Sequence, residues 1–408
     1  MAHWEEQYSI LERQLKDQGV DVAIARRRLA SQRIETPSWG YADSGTRFGV
    51  FRQPAAARDV FEKLSDAACV HKFTGVTPSV ALHIPWDYCE DWDKLKAYAQ
   101  NLGLQIGAIN PNLFQDDCYK FGSYCNTDLK VRRKARTHVL ECIEIMKALD
   151  SRILSMWFAD GTNYAGQGDF IRRKRWMEEE LAVAYTKLPK DTKMLIEYKL
   201  FEPSFYHTDI ADWGMAYTFA TKLGAQAQVL VDLGHHAHGV NIEHLVAFLI
   251  DEDKLGGFHF NNRKYADDDL ITGTVNPYEL FLIYAQLARA EVDPKRPRNF
   301  AYMIDQNHNL EGKLEAMVKT VENIQWAYAQ ALLVDDKKLK KAQETGDVIL
   351  AEKILTDAYR TDVFPLLASV RVEMGRDPEP LMALRRSREV EKRAIVRSKG
   401  KKKIANCE

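Results

Sequence analysis

From about residue 65 onward the chain alternates short apolar or β-branched runs with longer stretches whose apolar positions recur at helical spacing. The runs are SVALHI (79–84), LQIGAIN (104–110), ILSMWF (153–158), MLIEYK (194–199), QVLVDLG (228–234), GGFHFN (256–261), a short extended piece around DDDLITG (267–273), and AYMID (301–305). Stretches such as LKVRRKARTHVLECIEIMKAL and RRKRWMEEELAVAYTKL supply helices between most of them. Strands and helices in this alternation predict an α/β fold, a closed (β/α)8 TIM barrel. An open doubly wound sheet would alternate in the same way, but no GxGxxG or Walker loop follows an early run.

The flanks carry a different pattern. Residues from Glu5 to about Arg33 read as helices broken near Gly19, and TPSWGYADSGTRFG then switches to Pro, Gly and Ser, a loop that brings Trp39 toward the body. The expected organisation is an N-terminal helical arm and loop (1–45), a barrel catalytic domain (46–330) and a C-terminal helical extension (331–408). The extension cannot bury its own stripe of Ile349, Leu350, Ile354 and Leu355, so it is expected to pack on the barrel or on another subunit, which makes an oligomer the economical inference.

Composition narrows the class. The 408 residues are 46% hydrophobic and 28% charged, ordinary for a water-soluble globular chain, with a formal net charge of −1. That balance argues against a dedicated nucleic-acid binder, and the strongly basic stretch from Arg385 to Lys403 is expected to be a solvated end rather than a polyanion site. No apolar run approaches the roughly 18 to 20 residues of a membrane span, and MAHWEEQYSILERQL is an acidic amphipathic start rather than a signal peptide. Cys69, Cys89, Cys118, Cys125, Cys142 and Cys407 show no CxxC pairing, as expected of reduced thiols in a cytoplasmic protein.

The chemistry is written where the runs end. In a barrel of this kind the active site lies at the C-terminal ends of the strands. Those ends are polar: His83, Asn110, Trp157 with Asp160, Glu197 with Lys199, Asp232 with His235, His259 with Asn261, Asp267 with Asp269, and Asp305 with His308. Glu197 and Lys199 are two apart, as are Asp267 and Asp269, so in an extended chain each pair shares a face. Carboxylate oxygen mixed with imidazole nitrogen suits manganese, magnesium, cobalt or zinc. Glu197, Asp232, His259 and Asp305 would make one four-ligand site; His235, Asp267 and Asp269 would make a second with room for substrate oxygens. Two such ions clamp adjacent oxygens and suit chemistry on a vicinal hydroxy-carbonyl unit.

Lys199 would steady negative charge on a substrate carbonyl oxygen, and His83 would hydrogen-bond a sugar oxygen and assist ring opening. Trp39, Trp86 and Trp157 would wall the pocket against water. Taken singly, each residue has a plainer reading: an Asp or Asn at a strand end often caps the next helix, His259 fits a satisfied core histidine, and Lys199 merely neutralises Glu197. The plain readings do not explain all of them together on successive runs.

With these residues collected, the chain resembles the L-rhamnose isomerase family, within the xylose isomerase-like group of metal-dependent sugar isomerases. The resemblance runs along nearly the whole chain, through TPSWG, LHIPWD, WFADGTNYAGQ, EYKLFEPSFY, VLVDLGHHAHGVNIE, GGFHFNNRKYADDDL, MIDQNHN and YAQALLVD. It implies a structural metal site on Glu197, Asp232, His259 and Asp305 and a catalytic one on His235, Asp267 and Asp269. Its substrate contacts match His83, Trp157 and Lys199; together with the residue reading above, the expected catalytic set is Lys199, His235, Asp305 and His83, with Asp267 and Trp39 as further sugar contacts. The implied activity is the interconversion of L-rhamnose and L-rhamnulose, extending to aldoses such as D-allose and L-mannose, with two divalent ions per subunit, Mn2+ foremost, in a cytoplasmic homotetramer. Asn307 stands where the family pattern has Ser, and Asn261–Lys264 reads NNRK where some relatives have NDSK; both bear on which aldose is preferred. The segment Thr46–Asp59, which in relatives helps cover the pocket from a neighbouring subunit, has no assigned role.

The alternatives are an isomerase or 3-epimerase for another sugar on the same barrel, and a non-catalytic sugar-binding relative. An epimerase needs two glutamates flanking C3, and only Glu197 is an evident candidate; a non-catalytic relative would have lost ligands, and all seven are present.

Overall fold

The computed structural model describes residues 3–43, 51–202, 206–293 and 299–401. Eight parallel strands close into a barrel: β1 (Glu35–Pro37), β2 (Ser79–Ile84), β3 (Gln105–Pro111), β4 (Ile153–Met156), β5 (Lys193–Glu197), β6 (Ala227–Asp232), β7 (Leu255–Phe260) and β8 (Ala301–Ile304). Helices α1 (His3–Asp17) and α2 (Val22–Ala30) precede it. One helix then follows each strand: α3 (Val60–Thr74), α4 (Trp92–Asn101), α5 (Leu129–Ala148), α6 (Phe170–Tyr185), α7 (Trp213–Leu223), α8 (Ile242–Asp251), α9 (Pro277–Ala290) and α10 (Lys313–Ala331).

Two expectations about the strands are corrected. Residues 267–273 form no barrel strand: Asp269 takes φ 48, in the left-handed region that interrupts extended backbone, and Asn262 and Leu270 meet only in an isolated antiparallel bridge. The strand that completes the barrel is β1, which lies between β2 and β8 with Glu35 in register with Ser79 and Met303. Three residues ending in a proline show no alternation, and so TPSWG read as loop; the barrel therefore begins upstream of residue 46, inside the expected N-terminal arm.

Inside the barrel, Ala81, Ala108, Leu195, Leu230 and Met303 pack with Trp39 as an apolar plug beneath the C-terminal ends of the strands. The far larger outer core lies between strands and helices. Aspartates do cap helices here, as the plainer reading required, but they are other aspartates: Asp59, Asp91, Asp128, Asp169 and Asp212 cap α3 to α7, while Asn241 and Asn276 cap α8 and α9. The strand-end acids are thus left for another task.

The C-terminal extension consists of α11 (Asp336–Glu344), α12 (Val348–Arg360), α13 (Phe364–Glu373), α14 (Pro380–Ser387) and α15 (Glu389–Lys401). Leu355 packs on the main core, whereas Ile349 is 78% exposed, so the expected apolar stripe is covered only in part. The basic end is not simply solvated: Arg397 is buried and Arg393 is tied down beside it, because both reach a buried carboxylate, Asp66. Residues 402 and 403 of that stretch, and 46–50 of the segment expected to cover the pocket, lie outside the described residues. No helix among the described residues is long and apolar enough to cross a membrane, and the five described cysteines are unpaired.

Candidate metal centre

Strand parity assembles the centre. Glu197 and Asp232 are the last residues of β5 and β6, His259 stands in register with Asp232 on β7, and Asp305 directly follows β8. Their ligand atoms all lie within 4.8 Å of one another. His259 Nδ1 is 3.2 Å from Glu197 Oε1, 3.5 Å from Asp305 Oδ2 and 3.8 Å from Asp232 Oδ2.

A second group adjoins the first. His235 Nε2 lies 3.6 Å from Asp267 Oδ1 and 3.9 Å from Asp232 Oδ1, and these three residues again offer atoms within 4.8 Å of one another. Asp232 therefore belongs to both groups, which the sequence reading had not foreseen. Asp269 sits outside the tight group; its carboxylate accepts from the amides of Asn261 (3.4 Å) and Asn307 (3.1 Å). The turn after β6 leaves room for this crowd because residue 234 is glycine: a Cβ there would stand 2.7 Å from Asp267 Oδ1 and 3.2 Å from Asp232 Oδ1.

The electrostatics are those of a site built for cations. Burial, with the Glu197 and Asp267 carboxylates alongside, pushes Asp232 up to about 7 against the pull of His235. Burial and its acidic neighbours Asp267, Asp305 and Asp232 push Asp269 well above the usual carboxylate range. His259 works against burial: Glu197 and then Asp305 and Asp232 raise it to about 9. Protonated carboxyls and imidazoliums held only by each other are the states that a divalent ion displaces. Asp267 Oδ1 and Asn261 Oδ1 are buried without a hydrogen-bond partner, which a cation or its water would satisfy. The residues present therefore fit divalent-cation binding.

Lys199, just past β5, points into the same space. Its ammonium contacts Asp267 Oδ2 at 2.7 Å and Glu202 Oε2 at 2.9 Å, and these carboxylates outweigh burial to raise its pKa. Its Nζ lies 5.0 Å from the ring centroid of Trp157, which packs edge-on against Phe114. His83 stacks on Trp86 at 3.9 Å and meets Trp39 edge-on. Burial, then the nearby Lys63 and His138, lower His83 to about 3, so its ring is neutral. Trp39 does more than wall the pocket: its indole N–H donates to Asp305 Oδ1 at 2.8 Å.

The structure thus brings Glu197, Lys199, Asp232, His235, His259, Asp267, Asp305, His83, Trp39 and Trp157 to one pole, with Asp269 held at the margin and Asp160 elsewhere. Glu202 and Phe114 have no place in the sequence reading, and Asn261, named there only as a polar strand end, gains a role. Asn261 donates to both oxygens of Asp232 at 3.0 and 3.1 Å, and its place two residues after His259, on the same face of the strand, was the available signal. Glu202 lies in the two-residue strand Phe201–Glu202, paired antiparallel with Tyr206–Thr208, and Phe114 in a loop, both too short or irregular for spacing to carry such a signal. A third acidic group, Cys125, Asp160 and Asp209, is a structural knot instead: Asp160 accepts from the backbone of Ser123 and Cys125, and Arg173 pairs with Asp209 at 2.6 Å.

Comparison with known proteins agrees with the fold. Residues 66–300 match the family model described as xylose isomerase-like TIM barrel. A Rhizobium meliloti protein named as a probable sugar isomerase is 44% identical over 385 residues, 93% of this chain and 90% of the relative. A Mesorhizobium japonicum protein, likewise named a probable sugar isomerase, is 42% identical over 386 residues, with the same 93% and 90%. The crystal structure of a Sinorhizobium meliloti protein is similar in fold, with a TM-score of 0.52 at 13% identity over 71% of this chain and 96% of that one. The chain belongs to the xylose isomerase-like TIM barrel family.

Proposed function

We propose that this chain is a divalent-metal-dependent aldose–ketose isomerase that interconverts L-rhamnose and L-rhamnulose and also acts on related aldoses such as D-allose and L-mannose. The observation that carries the reading is the pair of adjoining ligand groups sharing Asp232, with the Lys199 ammonium beside Asp267 at their edge. The names of the two rhizobial relatives support sugar isomerisation, and the sequence motifs around the site favour L-rhamnose. Mn2+ as the metal, a homotetrameric assembly and a cytoplasmic location complete the proposal on the same resemblance.

Glu197, Asp232, His259 and Asp305 would hold one ion; His235 and Asp267, with Asp232 between and Asp269 at the margin, would hold the other. Bound divalent ions supply Lewis-acid stabilisation of adjacent sugar oxygens. The chain's own groups account for the remainder. Lys199 brings a fixed positive charge to the carbonyl oxygen as C1 and C2 exchange oxidation state, and Glu202 keeps that ammonium in place. Neutral His83 offers a hydrogen bond to the ring or hydroxyl oxygen during ring opening, without adding a competing cation. Trp157, Phe114 and Trp86 form an apolar flank that keeps water from the migrating hydrogen.

The test is a sugar panel with manganese-loaded protein, following ketose formation. L-rhamnose is expected to give the highest kcat/KM, with D-allose and L-mannose slower. Ketose from another aldose alone would reassign the substrate, and ketose from none would remove the isomerase reading.

A further inference from the structure

We propose that helix α15 is a positioning element for the catalytic pole: by locking Arg397 and Arg393 onto Asp66 it holds residues 51–58 as a strap against the loops that carry Trp39 and Asp305. The inference rests on the isomerase reading only for its kinetic consequence.

Asp66, on α3, has no exposed surface, and Arg397 is 5% exposed. Arg397 grips both carboxylate oxygens, Nη1 at 2.9 Å and Nη2 at 2.8 Å, while Arg393 Nε adds a contact at 2.7 Å. A buried anion held by a two-pronged guanidinium fixes orientation as well as proximity, which a lysine in the same place would not. From this anchor Arg397 donates to the carbonyl of Ala55, and Arg58 returns a bond from Nη1 to the carbonyl of Arg397 at 3.2 Å. Both ties run from the C-terminal helix to the strap.

The strap's other side faces the pole. Gln53 Nε2 donates to the carbonyls of Glu311 at 2.8 Å and His308 at 3.4 Å, in the loop that begins at Asp305. The amide of Ala57 donates to the carbonyl of Tyr41 at 2.9 Å, in the turn that carries Trp39, and Trp39 in turn bonds Asp305. Apolar anchorage is slight: Ala56 and Ala57 are buried, but Phe51 is 71% exposed. A segment with so few buried contacts opens at low cost unless its polar ties hold it.

The experiment is hydrogen exchange of the full-length chain, comparing wild type with Arg397→Gln, Arg397→Lys and Gln53→Ala. In Arg397→Gln, exchange in 51–58 and 306–311 is expected to rise about tenfold or more while α5 is unchanged, with Arg397→Lys intermediate. Gln53→Ala leaves the buried ion cluster intact and is expected to raise exchange in 306–311 but not in α15; it keeps the test open if Arg397→Gln fails to fold. Where the wild type turns over sugar, KM is expected to rise about tenfold in Arg397→Gln with kcat within about twofold. Exchange in 306–311 that stays unchanged in Gln53→Ala, or that rises uniformly along the chain in Arg397→Gln, overturns the proposal. A wild type that converts no sugar removes the isomerase reading alone, and exchange still decides the role of the helix.

Discussion

Asp232 ends β6 with no exposed surface and offers oxygen to both ligand groups, so its loss is felt on both sides. Asp232→Asn is expected to weaken both manganese equivalents in calorimetric titration by about 10- to 100-fold, whereas Asp269→Asn, outside the tight groups, weakens only one. Lys199→Met keeps metal binding and lowers kcat by about 10²- to 10³-fold, the loss that follows removal of a preorganised charge at the reacting oxygen. His83 gives a pH signature. Its folded-state pKa of about 3 lies below the ordinary histidine value, so its contribution to stability is present above about 6.5 and is lost as pH falls toward 3. Wild type should lose stability relative to His83→Asn between pH 6.5 and 4.5, measured by urea unfolding, and a parallel loss in both proteins would contradict a neutral buried ring. The residues that end strands in His, Asp or Glu were legible because parity and position place them at one pole; the sharing of Asp232 was not, because it depends on how far the turn at Gly234 folds back.

At the level of elements, the barrel positions its chemistry through exits of unequal kinds. Those of β5 to β8 deliver the proposed ligands directly, while the β1 exit delivers a brace, Trp39, to Asp305. Trp39→Phe keeps an aromatic ring, though a smaller one, and removes the hydrogen bond to Asp305, worth about 1 kcal/mol, so the first ion is expected to bind about fivefold more weakly. Unchanged affinity would leave Trp39 as wall alone. Alternation of apolar runs with helices identified the strands from β2 to β8. It missed β1, whose three residues draw their stability from two neighbouring strands rather than from any pattern of their own. It also took the acidic stretch 267–273 for a strand, where carboxylates facing the site and a left-handed Asp269 instead require a loop.

On the scale of the whole molecule, the proposed metal would be linked to folding. Asp232 has a folded pKa above its unfolded value, and so has His259; each contributes stability at low pH that disappears as pH rises through about 7 and about 9 respectively. Chelator-treated protein should therefore melt at progressively lower temperature between pH 6 and 8.5, while manganese-loaded protein should not, and the gap between the two should widen with pH. The paired centre is proposed to drive aldose–ketose exchange. Its most direct test is ketose formation from L-rhamnose by metal-stripped protein, before and after manganese is restored, beside Asp232→Asn. Turnover that returns with manganese in the wild type and not in the variant is the predicted result; turnover that persists without metal, or a wild type that binds no metal, would contradict the account.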